Sequence, residues 1–375
     1  MTVRGGYSVE HWVVAVMAVA LGIVTLAGKL GASARHEVET AGTPRISHSG
    51  ARAAPPRVTH RAPARPVPAA PGPAAAQPPP LVPRAAPTHQ VAIGAYIPGA
   101  TRRPGAIAAY AHRTGRPPAL IVYYRTWKKG QLFDPATLGP IAQSGAIPVA
   151  TWEPWGAPLD AIARGDYDGY IRSQARAARR FGGTILLRFA HEMNGDWYPW
   201  GAGANTPDTY IAAWRHMVRL FRREGARNVR WMWAPNAEHE SQRLILSLYP
   251  GDRWVDWVGL SGFDWGGPWL WESAGHVFRN SYRALTNLTR KPLMIVETGA
   301  GEVGGDKAKW IAQAFGRDFR QMPRVRAIVW FNGRSHWAHW DVDSSAASLK
   351  AFRTAVSAAR YGGVAADVEQ LSGVR

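Results

Sequence analysis

The 375-residue chain sets 45 Lys and Arg against 26 Asp and Glu, for a net charge of +19. Without a cysteine it cannot build a disulfide scaffold, a thiolate metal site or a thiol nucleophile. Hydrophobic content of 46%, including 18 tryptophans, excludes a wholly unfolded chain, and the basic excess is arginine-rich without a nucleic-acid motif, so no specific nucleic-acid partner is expected.

In chain order, residues 1–34 contain the uncharged run Trp12 to Ala27, bracketed by His11 and Lys29. The run is a little short for a spanning helix of about 20 residues, and Ala32-Ser33-Ala34 offers a small-residue cleavage pattern. A cleaved signal peptide and a retained signal-anchor helix both fit. Either places the rest of the chain outside the membrane, secreted or tethered to its outer face. Residues 35–89 are rich in Pro, Ala and Arg, with 13 of the 29 prolines between Pro44 and Pro87 and no acid from Thr40 to Phe133. Such a segment cannot offset its ordering entropy and reads as a disordered, polyproline-II spacer.

A folded domain is expected over 90–361, followed by a tail at 362–375. Eight short apolar or aromatic runs occur at Val91–Tyr96, Leu120–Tyr124, Ile147–Trp152, Thr184–Phe189, Val229–Ala234, Trp254–Ser261, Leu293–Glu297 and Val325–Phe331. Amphipathic stretches separate them. Tyr210, Trp214, Met217, Val218 and Phe221 follow helical spacing after a Thr206-Pro207 cap, with Gly225 beyond the end. Tyr170 to Phe181, Lys307–Phe319 and Ser348–Ala359 read as further helices. Alternation of this kind predicts an α/β fold, a (β/α)8 TIM barrel of the usual size of about 250 residues.

In such a barrel the chemistry sits where strands run into the following loops. Strand four feeds Arg188 and then His191-Glu192, and strand seven delivers Glu297. Two glutamates facing each other roughly 5 Å apart are what a retaining glycosidase requires: an acid to protonate the leaving oxygen, and a carboxylate to attack the anomeric carbon. His191-Glu192 also opens a zincin-like pattern, but the second His it needs is Gly195; no metal and no cofactor are expected. Trp152, Trp155, Trp197, Trp200, Trp265 and Trp330 cluster near the strand ends, as a groove for sugar rings would require.

The run Arg188 with His191-Glu192-Met193-Asn194-Gly195-Asp196-Trp197-Tyr198-Pro199-Trp200-Gly201 resembles the acid/base motif of glycoside hydrolase family 26. Tyr249-Pro250-Gly251-Asp252 with Val255–Gly259 is similar to that family's approach to strand six, and Lys291-Pro292 through Glu297-Thr298-Gly299 to its nucleophile strand. The resemblance covers about residues 91 to 360. It implies endo-acting, retaining hydrolysis of a β-linked polysaccharide by a monomer: β-1,4-mannan first, mixed-linkage β-1,3-1,4-glucan or β-1,3-xylan next. A non-catalytic envelope carbohydrate-binding protein is the reading of another class. The resemblance makes Glu192 the acid/base and Glu297 the nucleophile. It sets His191 and Trp197 beside the scissile bond, has Arg188 orient the nucleophile, and makes Trp330 the platform under the attacked sugar, with Trp152, Phe263 and Trp265 lining the groove. Where the family commonly has a Tyr that hydrogen-bonds the nucleophile, this chain has Phe263, so that donor is expected to be lost.

Overall fold

Each of the eight apolar runs pairs in parallel with its neighbour in sequence, and the last pairs with the first, closing a barrel. The computed structural model describes residues 90–127, 131–238, 241–266, 271–334 and 338–373. The strands are β1 Ala92–Tyr96, β2 Leu120–Thr126, β3 Ile147–Glu153, β4 Ile185–Phe189, β5 Val229–Trp233, β6 Trp257–Asp264, β7 Leu293–Ala300 and β8 Val325–Phe331. The expected signal or anchor segment and the Pro-rich spacer lie outside the described residues. Among the described residues no helix is long and apolar enough to cross a membrane.

The helices are α1 Ala106–Thr114, α2 Pro135–Gln143, α3 Leu159–Arg164, α4 Asp168–Phe181, α5 Pro207–Arg223, α6 Arg243–Ser247, α7 Ala274–Leu288, α8 Lys307–Gln313, α9 Ala346–Val356 and α10 Ala365–Gly373. Their ends follow local chemistry. Thr206 caps α5 by accepting from Thr209 N at 3.2 Å, and Pro207 occupies the first turn, where its missing N–H costs nothing. Gly182 and Gly225, after α4 and α5, take φ values of 76° and 75° that favour glycine. Two expected boundaries move. Strand six begins at Trp257 because Asp252–Trp254 forms a 3-10 turn. The helix expected over Lys307–Phe319 leaves α geometry after Gln313 for a π turn at Ala314–Asp318, whose buried Asp318 accepts from Gly275 N at 3.0 Å.

Side chains that alternate along the strands divide the core in two. One set, including Val122, Tyr124, Val149, Leu186, Met232, Met294, Val329 and Phe331, fills the barrel lumen. The other, including Tyr123, Trp152, Leu187, Phe189, Trp231, Ile295 and Trp330, packs outward against the helices. The stretch expected to be a tail is not one: α10 lies under the lumen. Gly363 bridges Ala92 at the start of β1, Val368 is buried, and the Trp257 indole donates to Ser372 Oγ at 2.8 Å. The C-terminus therefore closes the barrel floor, and the opposite end is left for chemistry.

Candidate active site

Arg188 faces the lumen by strand parity, between the outward Leu187 and Phe189. Its guanidinium is fully buried. Nε donates to Thr151 Oγ1 on β3 at 3.1 Å, and Nη2 donates to Glu297 Oε1 at 2.5 Å.

Beyond β4 the chain turns sharply. Ala190 and Glu192 hold φ values of 45° and 52°, left-handed conformations that cost a non-glycine residue roughly 1–2 kcal/mol each. The turn is held by neighbouring strands: Ala190 N donates to Trp152 O at 3.1 Å, and Glu192 N to Ala234 O at 2.8 Å. Trp200 Nε1 donates to His191 O at 2.7 Å. Asn194 clasps the loop after β5, donating to Asn236 O at 3.1 Å while its Oδ1 accepts from Asn236 N at 2.8 Å. The strain is thus offset by a network that aims Glu192 inward, where its Oε2 accepts from Trp197 Nε1 at 3.1 Å.

Glu297 reaches the lumen by a different device. Val296 already faces inward, so plain alternation would send Glu297 out toward the helices. The β6–β7 register shifts at this point: Leu260 pairs with Ile295, but Ser261 pairs with Glu297. A bulge of this kind re-aims a side chain. Glu297 then meets Arg188 and also the Tyr124 hydroxyl from β2, which donates to the same Oε1.

Buried carboxyls at this end of the barrel include Glu153, Glu192, Asp264 and Glu297. Burial raises the pKa of Glu192, with Arg188, Trp197 and Ser261 opposing, and pushes Glu297 well above the usual carboxylate range. Glu153 rises to about 8, mostly through burial. Arg188 is lowered to about 10 by burial and stays charged at neutral pH, while burial and Arg188 hold His191 far below its usual value, as a neutral ring. One oxygen each of Glu192 and Glu297, both of Glu153, both ring nitrogens of His191 and the Tyr198 hydroxyl have no protein partner. Buried polar groups normally find partners; a set of unpaired donors and acceptors in one cleft fits a hydroxyl-rich ligand.

The structure brings Arg188, His191, Glu192, Trp197 and Glu297 together at this mouth. Phe263 and Trp265 line the lumen side, against Trp340, at ring-centroid distances of 5.1 and 4.8 Å. Two expected groove residues are elsewhere. Trp152 stacks on Trp127 in the outer layer at 4.8 Å, and Trp330 packs outward against Trp310 and Phe352. Parity is the reason: their neighbours Glu153, Val329 and Phe331 hold the inward positions. Trp340, from the loop after β8, sits among the lumen aromatics with its indole N–H unpaired, and holds Trp330 through its carbonyl at 2.8 Å. The expected loss of the nucleophile's tyrosine donor is also overturned, since Tyr124 supplies a hydroxyl from β2. The signal for Tyr124 lay in the Tyr123-Tyr124 pair ending strand two, of which one ring has to face inward.

The model of Glycosyl hydrolase family 26 matches residues 147–296, which contain Arg188, His191 and Glu192 and stop one residue short of Glu297. Endoglucanase H of Acetivibrio thermocellus is 35% identical over 275 residues, 71% of this chain and 30% of that protein. A mannan endo-1,4-beta-mannosidase of Bacillus subtilis is 30% identical over 134 residues, 33% of each chain. The chain thus spans a third or less of the length of these relatives. The Cellulomonas fimi endo-beta-1,4-mannanase structure superposes with a TM-score of 0.57 at 17% identity, covering 76% of this chain and 74% of that one, and so shares its fold. The long strand-four motif, the two carboxyls at one barrel mouth and these matches agree: the barrel of this chain belongs to glycosyl hydrolase family 26.

Proposed function

We propose that the barrel is an endo-acting, retaining glycosidase of β-linked polysaccharide, with β-1,4-mannan as its substrate. The observation that carries this reading is the unequal treatment of two buried carboxyls at one mouth. Glu297 has a guanidinium and a phenol on one oxygen and leaves the other unpaired, as suits an anion that must attack. Glu192 has no guanidinium hydrogen-bonded to it and meets the Trp197 indole N–H instead, as suits an acid that keeps its proton. In the first step Glu297 Oε2 bonds to the anomeric carbon as the glycosidic C–O bond breaks. The departing oxygen keeps the electron pair and takes the Glu192 proton. In the second step water, deprotonated by Glu192, attacks the same carbon and releases Glu297 as carboxylate.

Relatives named mannan endo-1,4-beta-mannosidase support mannan. One observation favours a second reading, β-glucan: the alignment that reaches 71% of this chain is to an endoglucanase, while those mannanases align over 25–33% of it. Incubating the full chain with galactomannan, lichenan and β-1,3-xylan, and following reducing ends, separates these. Galactomannan shortened first, with the β-anomer appearing before mutarotation, is the expected outcome. Faster lichenan cleavage selects the second reading, and initial release of the α-anomer overturns the retaining mechanism. The apolar run Trp12–Ala27 ahead of the Pro-rich segment supports work outside the membrane, secreted or tethered. Recovery of the activity only from the cytosol would contradict that.

A further inference from the structure

We propose that Tyr124 is the residue that positions the nucleophile in this chain: its hydroxyl, delivered from β2, holds one carboxylate oxygen of Glu297 together with Arg188. The inference rests on the reading of Glu297 as nucleophile. It begins with strand parity. Tyr123 points outward, its hydroxyl donating to Leu132 O at 3.2 Å, so Tyr124 points into the lumen. There its ring is fixed on several sides, edge-on to Tyr96 at 5.4 Å, near His191 at 6.1 Å, and under the Arg188 guanidinium at 5.6 Å.

The direction of its proton follows from the partners. Arg188 Nη2 lies 3.4 Å from the Tyr124 oxygen, and a guanidinium only donates. The phenol therefore accepts from Arg188 and donates its own proton to Glu297 Oε1. Arg188 and Tyr124 thus hold one carboxylate oxygen from two sides, and Oε2 remains the attacking atom. When the glycosyl ester forms, Oε1 becomes its carbonyl oxygen. When the ester is hydrolysed, negative charge returns to the departing carboxylate, and the same two donors receive it. At position 263 a phenyl ring packs against Trp265, Phe331 and Trp340 instead.

The test uses the full-length Tyr124→Phe variant, which keeps the ring and removes only the hydroxyl. With the polymer that wild type cleaves, the variant should lose 10-fold to 100-fold in kcat with KM changed less than threefold. Its acid limb of kcat/KM should move to higher pH, because a lost donor makes Glu297 harder to ionise. A purely structural role would lower thermal stability and leave the limb in place. A variant with wild-type kcat and an unmoved pH limb overturns the proposal. A wild-type chain that cleaves none of the polymers overturns the proposed function first, which keeps the two failures apart.

Discussion

Glu153 at the end of β3 makes a sharp forecast about stability. It is fully buried, neither carboxylate oxygen has a partner, and burial, aided by Glu192 and opposed by Arg188, lifts it to about 8. The folded protein therefore holds a proton here that the unfolded chain releases near its ordinary value of 4.5. Between those two pH values the unfolded state binds fewer protons, so stability falls as pH rises. Below about 4.5 nothing is lost, and above about 8 the whole effect has developed. Each unit is a factor of ten in the folding equilibrium, roughly 1.4 kcal/mol, so the full span reaches the order of 4–5 kcal/mol. Against typical stabilities of about 5–15 kcal/mol this is large. Glu153→Gln keeps the shape and stays neutral at every pH. Urea unfolding of the full chain at pH 5, 6.5, 8 and 9 should show the variant gaining on wild type across pH 5–8, with the advantage level beyond. An advantage that does not change with pH would refute the argument, because the carboxyl would then be ionised in the fold throughout.

The other expectations are simpler to read. Glu192→Ala should slow cleavage of natural polymer by several orders of magnitude yet spare aryl glycosides with good leaving groups, and azide should speed its second step to give a β-glycosyl azide. Glu297→Ala should be inactive on both substrate types; equal behaviour of the two variants toward an activated aryl glycoside would reverse or erase the assigned roles. Trp330→Ala should destabilise the barrel by roughly 3–5 kcal/mol, the usual cost of emptying a large aromatic site, while the fraction that stays folded keeps the wild-type KM. A large rise in KM there would restore Trp330 to the groove.

What the sequence made legible was the repeat of apolar runs and the chemistry at strand ends. Eight runs bounded by helices have few other ways to close, and Thr206-Pro207 and Gly225 mark helix ends by rules that need no tertiary contact. Facing direction was harder to read. Strands of a parallel barrel are apolar on both sides, so hydrophobicity does not say which of two neighbours looks inward, and a one-residue slip exchanges the faces. Trp152 and Trp330 stand at strand ends, as groove residues would, yet parity turns both to the helices. Glu297 escapes the same fate only through the β6–β7 bulge, which the run Leu293–Glu297 does not announce. Tyr124 is not legible from the family resemblance, which looks for the donor on β6, although any inward position on the rim can aim a hydroxyl at the same oxygen.

The places where local rules are broken share an address. Ala190 and Glu192 have left-handed backbones without being glycine, Glu153 is a carboxyl buried without partners, and the β6–β7 ladder skips a residue at Glu297. Each costs stability, and each lies at the C-terminal end of the barrel, whereas the floor under Trp257 and α10 pairs its polar groups. A fold that is locally consistent at one end and strained at the other concentrates its exceptions where chemistry needs them. The strained turn after β4 aims Glu192, proposed as the acid, and the bulge in β7 aims Glu297, proposed as the nucleophile, at the Arg188 guanidinium that donates to its Oε1. That division of labour is set by backbone geometry before any substrate arrives.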